Sequence, residues 1–195
     1  NVTQLEPAWT HRNGDMAAAE GVPSSVSAQS TPILLPRVAG EHLVYCTPFN
    51  RVIALDPQTG RERWTYDPKV RRTSERPYRC RGVTYAQVAQ AEATATCRHR
   101  IYTVTGDRRL IALDARDGRP CEQFGDRGTV TLAEHDRYGL EEVGSSSPPA
   151  VANGVVVVGS SVIDFAYAEA PRGVIAAYDA ITGEPRWTFD PLQGA

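Results

Sequence analysis

The stretch Ala54-Leu55-Asp56-Pro57-Gln58-Thr59-Gly60-Arg61-Glu62-Arg63-Trp64 decides the fold, because it returns twice along the chain. Ala112-Leu113-Asp114-Ala115-Arg116-Asp117-Gly118-Arg119-Pro120-Cys121-Glu122 repeats it in degraded form, and Ala177-Tyr178-Asp179-Ala180-Ile181-Thr182-Gly183-Glu184-Pro185-Arg186-Trp187 repeats it in full. Asp56 and Asp114 lie 58 residues apart, Asp114 and Asp179 65. Self-similarity at such a period marks an array of like units, here blades of a propeller.

Working outward, each full copy is preceded by β-branched and aliphatic residues, Arg51-Val52-Ile53 or Gly173-Val174-Ile175. It ends in an aromatic pair two residues apart, Trp64/Tyr66 or Trp187/Phe189. That is strand, tight turn, strand. In the turn, the aspartate accepts hydrogen bonds from backbone N–H groups just ahead of it, Pro57 presets a negative φ, and Gly60 supplies a left-handed residue. Asp-x-x-Thr-Gly therefore closes a hairpin with a bulge. Period-two alternation sends Trp64 and Tyr66 to one face, where a flat ring can lie against a neighbouring blade; small Ala54 and Gly60 leave room for it.

The 195 residues are 41% hydrophobic and 23% charged, ordinary globular material. Three periods amount to three blades or so, fewer than the roughly four to eight of a closed propeller, so the chain reads as an arc of a larger ring. No stretch approaches the roughly 20 apolar residues of a membrane helix. The most apolar run, Val155-Val156-Val157-Val158, is of strand length. The chain opens at Asn1 with neither an initiator Met nor an apolar leader, so any targeting segment is expected to be removed or to lie outside it. A net charge of −2 argues against general polyanion binding. Arg71, Arg72, Arg76, Arg79 and Arg81 form one dense basic cluster, with little aromatic interleaving beyond Tyr78, and no nucleic-acid partner is expected.

The expected layout is an outer strand and loop over 1–30, a first blade over 31–68, a loop excursion over 69–100, a second blade over 101–128, another excursion over 129–147 and a third blade over 148–191. Long insertions in the same relative place on successive blades gather on one face of a ring, where a ligand binds. Cys46, Cys80, Cys97 and Cys121 allow three complete pairings, and none has a Cys-x-x-Cys zinc spacing. Cys80 and Cys97 bracket the polar stretch 81–96, and a disulfide between them would remove on the order of 3 kcal/mol of loop entropy from the unfolded state. That points to an oxidising compartment. Cys46 and Cys121, in or beside strands, read equally well as buried free thiols.

The pattern Ala-x-Asp-x-x-Thr-Gly-x-x-x-Trp resembles the tryptophan-docking motif of quinoprotein dehydrogenases that use pyrroloquinoline quinone (PQQ). Further segments resemble the membrane-bound glucose, quinate and shikimate dehydrogenase branch: Asn1-Val2 with Leu5 and Ala8-Trp9; Thr31-Pro32; Leu43 to Cys46 leading into Arg51 to Asp56; Cys80-Arg81-Gly82-Val83 with Tyr85; Ser147-Pro148-Pro149; and Gly173-Val174-Ile175. The resemblance covers essentially the whole chain. It implies an all-β fold, an arc of about three four-stranded blades forming the N-terminal part of an eight-bladed quinoprotein β-propeller.

PQQ is a flat ortho-quinone with three carboxylates, and its site calls for cationic and hydroxyl partners and a divalent metal, Ca²⁺ or Mg²⁺. By the resemblance, Arg81 matches the arginine beside the reactive carbonyl, a place suited to a planar, permanently charged fork. Ser146 stands where relatives have a threonine facing a cofactor carboxylate, although a turn-capping serine would read the same. Asp164 matches the metal-ligating acid. Three departures stand beside these. Gln29 replaces a glutamate, Pro77 replaces a histidine that covers one quinone face, leaving Tyr78 to stack instead, and Phe165 follows the metal aspartate where asparagine is common. His11, His42, His99 and His135 match no site position.

The resemblance implies oxidation of a sugar, cyclic polyol or alcohol in the periplasm, with electrons passing to membrane ubiquinone through parts outside this chain, which include a membrane anchor, the remaining blades and the base aspartate. The segment alone is expected to be inactive. The rival reading is a cofactor-free propeller scaffold of the outer-membrane assembly type, or a relative that has lost PQQ. Such scaffolds lack the Cys-Arg-Gly-Val and metal-aspartate segments.

Overall fold

A computed structural model of the chain describes residues 2–18, 25–71, 78–88, 95–132, 143–162 and 173–192. The described residues are almost all β. The first sheet contains β2 (Ile33–Leu34), β3 (Leu43–Cys46), β4 (Val52–Leu55) and β5 (Glu62–Tyr66). The second contains β7 (Thr84–Gln87), β8 (His99–Val104), β9 (Arg109–Asp114) and β10 (Thr129–Thr131). The third contains β12 (Ala150–Ala152), β13 (Val155–Gly159), β15 (Ile175–Asp179) and β16 (Pro185–Phe189). Each is antiparallel with neighbours in chain order. Two small ribbons remain: β1 (Val26–Ala28) runs parallel to β6 (Tyr78–Cys80), and β11 (Val143–Gly144) antiparallel to β14 (Ser161–Val162).

The second sheet is buried on both faces. Ile101, Ile111 and Leu113 pack toward Val44, Val52 and Ala54 of the first sheet. The alternate residues Tyr102, Leu110 and Ala112 pack toward Val156 and Tyr178 of the third. Period-two alternation thus serves two cores at once, and the sheets stack face to face in sequence.

The repeated turns close as their residues dictate. Asp56 Oδ1 accepts from the Gln58 and Thr59 N–H groups at 2.9 and 2.8 Å, and Gly60 N–H returns to the Asp56 carbonyl at 2.9 Å. Asp179 does the same with Ile181, Thr182 and Gly183. The strand register slips by a bulge between Ala54 and Leu55 and between Ala177 and Tyr178. Arg63 and Arg186, seven residues after their aspartates, pair with the second carboxylate oxygen. In the degraded copy that place holds Cys121, and Asp114 Oδ2 accepts from Cys97 N–H at 2.6 Å instead.

At two of the repeated turns an aromatic ring lies on the glycine, Trp64 from the first sheet on the second and Trp9 from the N-terminal segment on the first. A Cβ built on Gly118 would stand 2.4 Å from Trp64 Cε3, and one on Gly60 2.5 Å from Trp9 Cε3. Trp9 Nε1 also donates to the Pro57 carbonyl at 3.1 Å. The wholly buried Arg100 donates to the carbonyls of Ala180 and Ile181 at 2.8 and 2.9 Å, beside a bond from Tyr102 Oη to Ala180. The corresponding face of the third sheet leaves Trp187 and Phe189 47% and 55% exposed.

The structure corrects three expectations. The disulfide is not Cys80–Cys97: Cys46 joins Cys80 and Cys97 joins Cys121, with Cα–Cα separations of 5.9 and 5.7 Å, so neither Cys46 nor Cys121 is a free thiol. Cys80 lies in the core shared with the first sheet and Cys97 in the core shared with the third, on opposite faces of the second sheet, which puts them out of each other's reach. The stretches read as excursions contribute strands β7 and β10, short and polar enough to pass for loop. The N-terminal segment is no outer strand. It is a 3-10 turn, Val2–Gln4, and a helical turn, Asp15–Ala18, clipped to the first sheet by buried Asp15, which accepts from Phe49 N–H at 3.0 Å and Arg51 Nε at 3.1 Å.

Two predictions follow from these contacts. Gly118→Ala carries the left-handed penalty of roughly 1–2 kcal/mol and the collision with Trp64, about 1–3 kcal/mol more. Gly154→Ala, also at positive φ but with nothing within 4 Å, carries the first penalty alone, so urea denaturation should separate the two variants. Hydrogen bonds from Thr59 N–H and Arg63 hold the Asp56 pKa at about 2, below its ordinary 3.8. Asp179, despite the opposing effect of burial, is held at about 2 by Arg186 and its own turn N–H groups. Both are depressed carboxylates, so their stabilisation is complete above about pH 4 and lost as pH falls towards 2. Acid titration of the melting temperature should show that loss diminished in the Asp56→Asn/Asp179→Asn variant.

Candidate functional site

Antiparallel order fixes where the first strands begin. β2, β7 and β12 all start at one end of their sheets, and the repeated aspartate turns close the other. The first strands of the second and third sheets also touch, with the Thr84 hydroxyl donating to the Pro149 carbonyl. The three segments entering these strands, 29–31, 80–82 and 146–148, therefore come together.

At their junction Arg81 N–H donates to the Ser146 carbonyl at 3.0 Å, and Thr31 N–H donates to the Arg81 carbonyl at 3.0 Å. Gly82 lies against both neighbours, since a Cβ there would be 3.6 Å from Pro148 Cγ and from the Thr31 oxygen. Backbone bonds thus fix Arg81 between two entry segments. Its exposed guanidinium donates from Nη1 to Ser146 Oγ at 3.1 Å. Because that oxygen accepts from Arg81, the Ser146 hydroxyl keeps its own hydrogen for a second acceptor. The remaining Arg81 N–H groups have no partner among the described residues. Together they form an exposed cationic fork with a hydroxyl beside it, a donor set that suits a carboxylate or quinone oxygen.

The other expected site residues divide. Gln29 is one residue beyond the register pair Ala28↔Cys80, which sets it alongside Arg81. Its exposed amide donates to Ser27 Oγ at 3.1 Å. Tyr78 is only 3% exposed and meets Phe49 edge to face, with ring centroids 5.1 Å apart. It packs against Phe49 of the β3–β4 turn rather than presenting an exposed ring. Asp164, Pro77 and Phe165 lie outside the described residues, as does His135. Among the described residues no group of three or more His, Cys, Asp or Glu side chains is placed to hold a metal ion. Buried His99 stacks on Tyr85 within the second sheet and its pKa is pushed down by burial. His11 bridges Tyr45 and Glu62, and His42 donates to the Arg116 carbonyl.

Ser30 and Cys46 belong to the site's surroundings; Ser30 was not singled out in the sequence, and Cys46 was read there as equally well a buried free thiol. Cys46 ends β3, and the antiparallel return of β3 brings it back to the end where β2 begins, beside Cys80. The one signal for it was that return path, which a count of cysteine spacings does not carry.

Comparison with known proteins bears on what such a junction serves. The family described as "PQQ: Glucose/ethanol/alcohol dehydrogenase, beta-propeller domain" matches residues 1–195. The chain is 37% identical over 210 residues to the quinate/shikimate dehydrogenase (quinone) of Acinetobacter baylyi, covering 98% of this chain and 25% of that protein. It is 36% identical over 199 residues to the quinoprotein glucose dehydrogenase of Escherichia coli, covering 98% of this chain and 24% of that one. Among solved structures, the quinohemoprotein alcohol dehydrogenase of Comamonas testosteroni matches with a TM-score of 0.63 and 27% identity, over 87% of this chain and 22% of that chain. The chain thus spans about a quarter of the length of the curated relatives it matches.

Proposed function

The chain belongs to the PQQ-dependent glucose/ethanol/alcohol dehydrogenase β-propeller family, and from that premise we propose that it is the part of a quinoprotein dehydrogenase that holds one edge of PQQ. The observation that carries this reading is the junction of three entry segments, where the Arg81 fork and the Ser146 hydroxyl meet 3.1 Å apart. When bound, PQQ supplies a two-electron acceptor for hydrogen removed from a substrate alcohol.

This chain's residues bind and orient. Arg81 is fixed at both its N–H and its carbonyl, so its guanidinium meets an anionic or carbonyl oxygen without first being ordered. The Ser146 hydroxyl donates to a second oxygen, and the Gln29 amide lines the same rim without adding charge. Asp164 is the proposed ligand of a Ca²⁺ or Mg²⁺ ion. The aspartate that removes the substrate's hydroxyl proton is expected beyond these residues, so the segment by itself is inactive.

Two features support the wider setting. The two disulfides suit an oxidising compartment, here the bacterial periplasm. The exposed Trp187 and Phe189 face suits a further blade of the same ring. Among the described residues no helix is long and apolar enough to cross a membrane, so anchoring and ubiquinone reduction are assigned to parts outside them. The substrate class is a sugar or cyclic polyol, in keeping with relatives named for quinate, shikimate and glucose.

Reconstitution of the full-length parent chain with PQQ and Ca²⁺ or Mg²⁺, followed by dye reduction across sugars and cyclic polyols, tests this. Quinone uptake with turnover of at least one polyol is expected, and absence of uptake with either metal overturns it. Arg81→Ala should weaken PQQ binding about 10- to 100-fold, the worth of a charge-assisted hydrogen bond or two. Arg81→Lys should fall between, keeping the charge without the fork.

A further inference from the structure

Directly beside Arg81 stands a covalent bond that the proposed chemistry does not use. We propose that the Cys46–Cys80 disulfide is a positioning device for the Arg81 guanidinium, presetting the arginine before its ligand arrives. The inference rests on PQQ being the ligand at Arg81.

Cys80 is the last residue of β6, and β6 belongs to none of the three four-stranded sheets. Among the described residues its only strand partner is β1, in a parallel ribbon of three residue pairs. Such a ribbon has too little pairing to hold its own position. Buried Tyr78 packs on Phe49 where β6 begins, and the end that leads into Arg81 is attached covalently. The disulfide ties the last residue of β6 to the last residue of β3 in the first sheet, across 34 residues of sequence. Ser30 Oγ accepts from Cys46 N–H at 3.1 Å and lies 3.4 Å from Cys46 Sγ, so the segment leading to Thr31 is secured at the same point. Thr31 N–H then holds the Arg81 carbonyl. Both sulfurs are enclosed, each cysteine being 2% exposed and surrounded by Val44, Val52 and Val83 of the same core. The fastenings at the Cys80 end of the ribbon converge within two residues of Arg81, whereas the side chain itself is exposed and makes one hydrogen bond among the described residues.

The second disulfide provides a built-in contrast. Cys97–Cys121 sits by the Asp114 turn, at the opposite end of the second sheet from Arg81. It secures a turn and has no path to the guanidinium.

The test is a PQQ titration of the full-length parent chain with Ca²⁺, followed by quenching of tryptophan fluorescence, in a double-mutant cycle. Cys46→Ser/Cys80→Ser should raise the Kd about tenfold, the worth of ordering one long side chain and its backbone at binding. In the Arg81→Ala background the same pair should change the Kd by less than about twofold, because the effect acts through the arginine. Cys97→Ser/Cys121→Ser should lower the melting temperature of the apoprotein and leave the Kd within about twofold. An unchanged Kd in Cys46→Ser/Cys80→Ser, or an equal loss with and without Arg81, overturns the proposal. If that variant does not fold, Ser30→Ala gives the reading: about two- to threefold weaker binding supports the proposal and wild-type binding overturns it. Failure of the unmodified chain to take up PQQ would instead overturn the functional reading beneath it.

Discussion

An aromatic ring lying on bare glycine backbone is the contact from which the rest of this structure is built. Trp64 rests on Gly118 and Trp9 on Gly60 so closely that any Cβ would enter the ring. Only glycine permits this, both for its missing side chain and for its left-handed φ. The Trp64 contact closes the junction of the first and second sheets. Alternate residues of β8 and β9 reach the two neighbouring sheets, and the second sheet is buried on both sides. Removal of that apolar area from water provides the main driving force, about 1.5–3 kcal/mol for each large aliphatic side chain fully buried.

The degraded copy shows what happens where the device is lost. Glu122 stands where Trp64 and Trp187 stand in the full copies, so no indole is available for the glycine of the third turn. Gly183 is covered instead by Val130 Cγ2 and Phe124 Cδ2, the latter reached by a detour of the chain through Gly125. The turn carbonyls, one of which receives Trp9 Nε1 in the first turn, receive Arg100 and Tyr102 in the third. A permanently charged group is tolerated in the core because carbonyl dipoles surround it, with Cys97 supplying a third acceptor at 2.7 Å. The Asp114 turn shows the same exchange. Where Asp56 and Asp179 each hold an arginine, Asp114 holds the Cys97 N–H, and the disulfide joins Cys97 to Cys121, the residue at the arginine's place in the repeat.

Much of this was legible in the sequence because turn chemistry is local. Asp, Thr and Gly at fixed offsets have few ways to satisfy their backbone, and Asp56 and Asp179 adopt the arrangement their spacing dictates. The strands flanking them follow from the same hairpins. What escaped notice depends on contacts distant in sequence. Thr84-Tyr85-Ala86-Gln87 becomes a strand because β8 pairs with it, not because of its own composition. Residues 5–13 look like a strand but are held instead by Trp9 and His11 reaching the first sheet. The disulfide partners were hidden for the same reason, since proximity in sequence favours Cys80 with Cys97 while the second sheet stands between them. At the candidate site, Arg81 and Ser146 drew notice through the residues beside them, whereas the burial of Tyr78 against Phe49 depends on a turn of the first sheet that its own segment does not carry.

These observations also account for where the site lies. The aspartate turns occupy one end of every sheet, and their carboxylates are engaged by turn N–H groups together with Arg63, Arg186 or the Cys97 N–H. The opposite end closes on different turns, Thr47–Arg51 and Thr105–Arg109, which carry no such aspartate at their start. There the chain enters each first strand from a long connection, and entry segments of different sheets satisfy one another's backbone, as Thr31, Arg81 and Ser146 do. Because those bonds consume only backbone groups, the side chains are left to face outward. An exposed arginine in such a place is not an ordinary surface charge: its main chain is as constrained as a core strand while its guanidinium remains open. Rigid backbone with open donors suits recognition of an anionic ligand, which is why the proposed site is put at this end of the sheets and not at the aspartate turns.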